Sequence, residues 1–128
     1  MEFIKLVLLP FPSKSYSYKE ASNIEMNILG NFLASDIGCD SSSSFKEWGI
    51  NDNWGDETNG NITVLKKEGN YILLSDLFSE EEVPTVLRMT REQYGQVITD
   101  WEEKVCKLRP KEVIITYEND QFIMDTKD

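Results

Sequence analysis

Residues 89–110 read Met89-Thr90-Arg91-Glu92-Gln93-Tyr94-Gly95-Gln96-Val97-Ile98-Thr99-Asp100-Trp101-Glu102-Glu103-Lys104-Val105-Cys106-Lys107-Leu108-Arg109-Pro110, and the fold turns on them. Thr90 offers a side-chain oxygen to the backbone of Gln93, and Gln93 can reach back. Those are the two halves of a capping box, with Met89 and Tyr94 at the staple positions. Apolar residues then recur at Tyr94, Val97, Ile98, Trp101, Val105 and Leu108, which predicts a helix over about 90–108 with one face turned to a core. Met89, Tyr94 and Trp101 are accordingly assigned to that core. Asp100, Glu103 and Lys107 lie on the other face at spacings that allow intrahelical pairs. Arg109 and Pro110 end the helix.

β-type segments flank it on both sides. Residues 62–67 and 71–75 are β-branched and aromatic-rich runs around Glu68-Gly69-Asn70, whose Gly and Asn tolerate positive φ, so they form a hairpin. Residues 85–89 follow Pro84 and read as a short strand. Residues 112–117 and 121–125, around Glu118-Asn119-Asp120, make a second hairpin. Towards the N-terminus, residues 2–9 form a strand with four consecutive apolar residues near its end, expected to be central and covered on both faces. Residues 10–22, rich in Pro, Ser and Tyr, read as a connection. Ile24, Met26 and Ile28 alternate, and Gly30 suggests a bulge, so residues 24–33 are expected as a strand in preference to a helix. Residues 41–44 cap a helical turn through Trp48, and residues 49–61 form a long polar loop dense in Gly and Asn. The expected fold class is α+β: a mostly antiparallel β-sheet with one main amphipathic helix, about 90–108, packed on one face. A single domain spans 1–128, with a loop-rich first half, 1–60, and a regular ββ-β-α-ββ second half, 61–128.

The chain has 128 residues, for which the area scaling law gives a folded surface near ~7,000 Å². Its 13 Lys and Arg stand against 23 Asp and Glu, with no histidine, for a net charge of −10. Such a chain repels phosphate, which argues against nucleic-acid and anionic-membrane partners and for a basic one. Without histidine it lacks the commonest general base and the commonest zinc ligand. Cys39 and Cys106 are expected reduced and structural, because a core of this size needs no staple. The apolar N-terminus carries Glu2 and Lys5 and is closed by Pro10, which suits a strand and not a signal peptide. The expected location is cytoplasmic.

No constellation for catalysis emerges. Asp52-Asn53-Trp54-Gly55-Asp56-Glu57 brings acids and a glycine together, but an EF-hand loop starting at Asp52 would put Trp54 at a ligand position, Glu57 where glycine belongs and Thr63 in place of the closing Glu. Phosphate-cradling glycine loops and a G-x-S-x-G elbow are absent from the sequence, and Cys106 has no histidine to activate it. No catalytic residue, metal ligand or cofactor is therefore assigned. Recognition is the class the residues favour. Trp48 and Trp54 stand amid Asp36, Asp40, Glu47, Asp52, Asp56 and Glu57, and tryptophans ringed by acids suit an interface with a basic protein. The bland counterpart is that the tryptophans fold into the core and the acids are a solvated loop. Glu80-Glu81-Glu82 beside Phe78 is a second candidate, more simply explained as a solvated turn.

Met89 to Tyr94, Asp100 to Lys107 and Arg109 to Ile115, within residues 85–125, resemble the immunity proteins of bacterial polymorphic toxin systems, in particular those of contact-dependent growth inhibition. The resemblance implies an inhibitor without catalysis that neutralises a cognate basic toxin domain, a nuclease such as an RNase, by blocking its active site or substrate entry. The first half of the chain matches nothing in that pattern. The competing expectation is a small acidic cytoplasmic binding domain unrelated to toxins.

Overall fold

Strand β1 (Glu2–Leu8) pairs antiparallel with β2 (Tyr16–Ala21) on one side and with β7 (Glu112–Glu118) on the other, and β8 (Gln121–Lys127) completes a sheet in the order β2-β1-β7-β8. The computed structural model describes residues 1–10 and 12–128. Phe11, within the connection expected over 10–22, lies outside them, and the latter part of that connection is the strand β2. A second antiparallel sheet holds β3 (Glu57–Asn59), β4 (Thr63–Glu68), β5 (Tyr71–Asp76) and β6 (Val86–Thr90) in that order. The α+β class stands, but the strands divide into two sheets instead of one. Hairpin signals give nearest neighbours only. The pairing of Ile4 with Ile115 joins the two ends of the chain and leaves the middle strands to a sheet of their own.

Three helices cover these sheets: α1 (Ile24–Asn31), α2 (Ser42–Ile50) and α3 (Arg91–Asp100). α1 and α3 run on as π-helical segments, Phe32–Ile37 and Trp101–Cys106. The expectation of one main helix is thus corrected to two, with α2 as a shorter third. α1 lies against β1 and β2 in one sheet and β5 and β6 in the other, and α3 touches β5, β6 and β8. The core fills the space between, from Ile4, Leu6 and Ile115 through Phe32 and Trp101 to Leu65, Ile72 and Leu74. The folded surface is 7453 Å².

Residues 24–33 are helical, contrary to the expected strand. The deciding signals are Asn23, whose side chain accepts from the Met26 N–H at 2.9 Å, and the buried set Met26, Leu29, Gly30, Leu33 and Ile37, which keeps a helical period over more than two turns. Gly30 marks a close approach and not a bulge, since a Cβ there would stand 2.2 Å from Ile4 Cδ1. β1 is central by pairing, yet only Ile4 and Leu6 are buried within it, so it is covered on one face and not on two.

The α3 capping box forms as read: Thr90 Oγ1 accepts from Gln93 N–H at 3.0 Å, and Gln93 Oε1 accepts from Thr90 N–H at 2.8 Å. Met89, Tyr94 and Trp101 are core. Leu108, expected on the same face, is exposed. In the π-helical stretch the Lys107 N–H bonds to Glu102 O, five residues back, and the wider turn rotates later residues out of phase with the helical stripe.

Cys39 and Cys106 form a disulfide across Cα atoms 5.6 Å apart, which corrects the expectation of reduced thiols. Each sits just beyond or at the end of a π-helical segment, and Trp101 Nε1–H, which donates to Gly38 O at 2.8 Å, holds those ends together. Among the described residues no helix is long and apolar enough to cross a membrane.

α2 is tied to the end of α3 by Glu102, which accepts from Lys46 Nζ at 2.6 Å and from Ser42 Oγ at 2.8 Å. The Lys46 bond, aided by that from Ser42, holds the Glu102 carboxyl below the usual carboxylate range. A depressed folded pKa gives stability that is present above the unfolded value and lost as pH falls through the folded one. Glu102→Gln should therefore cost about 1 kcal/mol at pH 7 and less at an acidic pH below the ordinary carboxylate range, as read from urea midpoints at both. An equal cost at both pH values would show that the charge on Glu102 contributes nothing.

Candidate functional site

The eight residues singled out for recognition divide between core and surface. Asp36, on the π-helical end of α1, is buried; its Oδ1 accepts from the backbone N–H of Asn61 at 2.7 Å and of Ile62 at 3.1 Å. It fastens the chain between β3 and β4 to α1 and is no contact residue. Trp48 is 4% exposed on the inner side of α2, its ring edge-on to Tyr94, so it is core and not interface. Asp40 is exposed but precedes α2, beside the disulfide. The remaining five, Glu47, Asp52, Trp54, Asp56 and Glu57, are exposed along one continuous stretch from the end of α2 to β3.

That stretch, expected as a plain loop over 49–61, is more ordered than its composition suggests. α2 runs to Ile50, a 3₁₀ turn follows over Asp52–Trp54, and β3 pairs with β4 from Glu57 onward. Asn51 opens the turn by accepting from the Asn53 N–H at 3.0 Å. Gly55, at φ 86°, takes a left-handed conformation that other residues adopt only with strain, and there the chain turns back into β3.

The element that holds the turn is Lys67, which no motif singled out. Alternation along β4 buries Thr63, Leu65 and Lys67 on one face. The Lys67 ammonium therefore points inward, donating to Asn51 O and to Gly55 O, each at 2.9 Å, and sitting 4.5 Å from the centroid of the Trp48 ring. Two carbonyls and one π face account for its hydrogens. The signal was in the sequence: the period-two pattern that puts Leu65 inside also puts Lys67 inside.

A second tie comes from α3. Arg91 Nη1 donates to Asp52 Oδ1 at 2.6 Å, and this bond with its charge keeps the Asp52 carboxyl below the usual carboxylate range. Asp52 is thus partly committed to its neighbour. On this fixed turn Trp54 is 51% exposed, and Ile50 at the end of α2 is 60% exposed, with the exposed Glu47, Asp56 and Glu57 near them in the chain. An exposed tryptophan on a turn whose backbone is held by a buried amine is suited to binding. A tryptophan held in place before contact loses little conformational entropy on binding.

The second sequence candidate lies at the far end of β5. Leu77, Phe78 and Val83 are exposed there, as are Glu80, Glu81 and Glu82, and the turn is organised locally by Asp76 accepting from the Phe78 N–H at 2.9 Å. Comparison with known proteins finds no family model, no curated protein and no solved structure that matches the chain.

Proposed function

We propose that this chain is an immunity-type inhibitor that binds a basic toxin domain, a nuclease such as an RNase, and covers its active site or substrate entry. The observation that carries the reading is Trp54, half exposed on a turn that Lys67 and Arg91 hold from beneath. The net charge of −10 supports it, because a nuclease carries a basic groove for its substrate and an acidic partner is steered to that groove. Inhibition by occlusion needs no catalytic group. The cytoplasm is the proposed site of action, where cellular reductants would open the Cys39–Cys106 bond. The Trp54 turn is suited to that, since its fastenings are Lys67, Arg91 and Asn51 and not the disulfide.

The test is co-expression with the reading frame directly upstream, followed by copurification and measured association rates. Trp54→Ala should weaken the complex by about tenfold to a hundredfold, within the range of an interface hot spot. Asp56→Lys with Glu57→Lys should slow association and flatten its salt dependence while leaving the fold alone, since both side chains are exposed. A variant that associates as fast and as tightly as the parent would place the interface elsewhere. An upstream frame without a basic C-terminal toxin domain would remove the toxin reading itself.

A further inference from the structure

Two of the edge strands border a groove, β6 and the start of β8. β3 is only three residues long, β2 meets β1 through a register shift, and β8 ends in the exposed Asp125, Thr126 and Lys127. Short strands, bulges and charges are the usual protections against edge pairing. β6 pairs with β5 in unbroken register and lacks a bulge.

The register shows which backbone groups β6 leaves open. Tyr71 stands opposite Thr90, and the Arg91 N–H reaches Asn70 O at 3.0 Å just beyond them, so Tyr71 and Thr90 are a non-bonded pair. By alternation Met89 and Leu87 exchange bonds with Ile72 and Leu74, while Arg88 and Val86 turn their N–H and C=O away from β5. The outward N–H of Thr90 is taken by Gln93 Oε1 at 2.8 Å. The capping box of α3 thus closes one end of the edge, and Val86 and Arg88 remain to be paired.

The space beside Arg88 is a groove of about 810 Å³ that runs from Arg88 and Tyr71 to the ring pair Tyr117 and Phe122 on the β7–β8 hairpin. A smaller hollow of about 180 Å³ shares Arg88, Tyr117 and Phe122 and extends along β6 to Leu87. The Arg88 guanidinium lies 3.7 Å over the Tyr71 ring. Among the described residues lining the two hollows, Arg88 is the sole cation, against Glu2, Glu25, Glu92 and Asp120.

We propose that β6 receives an extended, cation-bearing peptide segment of a partner protein as a fifth strand of its sheet. The two-residue repeat of open donors and acceptors is matched by a strand, and the acidic lining selects a Lys- or Arg-bearing one. The surface is separate from the Trp54 turn and stands whether or not that turn binds a toxin.

The probe is a displayed library of random heptapeptides panned on the full chain, with the enriched sequences then synthesised. The expected peptides alternate β-branched residues with Lys or Arg and protect the Val86 and Arg88 amides from hydrogen exchange. Arg88→Pro removes one outward N–H and leaves the ladder to β5 intact, so it should weaken these peptides at least about tenfold. Arg88→Ala, which keeps the edge, should bind within about threefold of the parent. If Arg88→Pro fails to fold, peptides N-methylated at alternate amides replace it, and methylation of the edge-facing set alone should abolish binding. No enrichment, acidic peptides, protection outside β6 or full binding to Arg88→Pro would each overturn the proposal.

Discussion

Opening the Cys39–Cys106 bond, by reductant or by Cys39→Ser with Cys106→Ser, is expected to lower the unfolding free energy by about 4 kcal/mol. The two cysteines are 67 residues apart, and the loop-entropy relation gives that figure for a loop of this length. For a chain of this size the loss corresponds to a fall in Tm of roughly 15 °C. The bond joins Cys39, just past the π-helical end of α1, to Cys106, the last residue of the π-helical end of α3, so reduction should loosen those ends first and leave the sheets protected. Guanidinium unfolding with and without reductant, with hydrogen exchange over residues 32–41 and 101–108, measures both parts. Equal midpoints would mean that the bond adds nothing. The result also bears on location, because a chain that works in a reducing cytosol must retain its fold after this loss.

Lys67→Met is expected to cost about 2–4 kcal/mol and to release the Trp54 turn. The side chain is 6% exposed, and its ammonium serves two carbonyls. Methionine matches its length but donates nothing, so Asn51 O and Gly55 O would be left without a donor beneath the turn. The Trp48 ring would lose its cation at the same time. Faster amide exchange over residues 51–56 should accompany the loss of stability. Binding to the upstream toxin domain should fall about as far as with Trp54→Ala, since an unfastened anchor must be ordered on contact. Unchanged exchange in the turn, with stability within ~0.5 kcal/mol of the parent, would show that the turn holds itself.

Legibility in the sequence followed the range of the interactions. The α3 capping box, the Glu68–Asn70 turn and the 119–120 turn, where Asn119 and Asp120 both take positive φ, were legible because each is decided within a few residues. Residues 24–33 resemble a strand in sequence because three alternating apolar residues outweigh Asn23, whose cap falls just ahead of the pattern. Gly30 suggests a bulge in sequence because its actual reason is Ile4, a residue from another element. Within the candidate site Trp48 and Trp54 look alike in sequence, both beside acids and glycines. Their fates differ because Trp48 lies on the inner face of α2 and Trp54 lies on the turn beyond it.

Composition and local pattern by themselves determined that the chain is acidic, rich in antiparallel hairpins and organised around a capped helix, since charge and short-range hydrogen bonding depend on neighbours in the chain. The tertiary structure alone decided that the strands form two sheets, that Cys39 meets Cys106, and that Lys67 sits under the Trp54 turn. Each of these joins residues from separate elements. Such contacts are set by which faces pack together once the core closes, and a one-dimensional pattern does not carry that information.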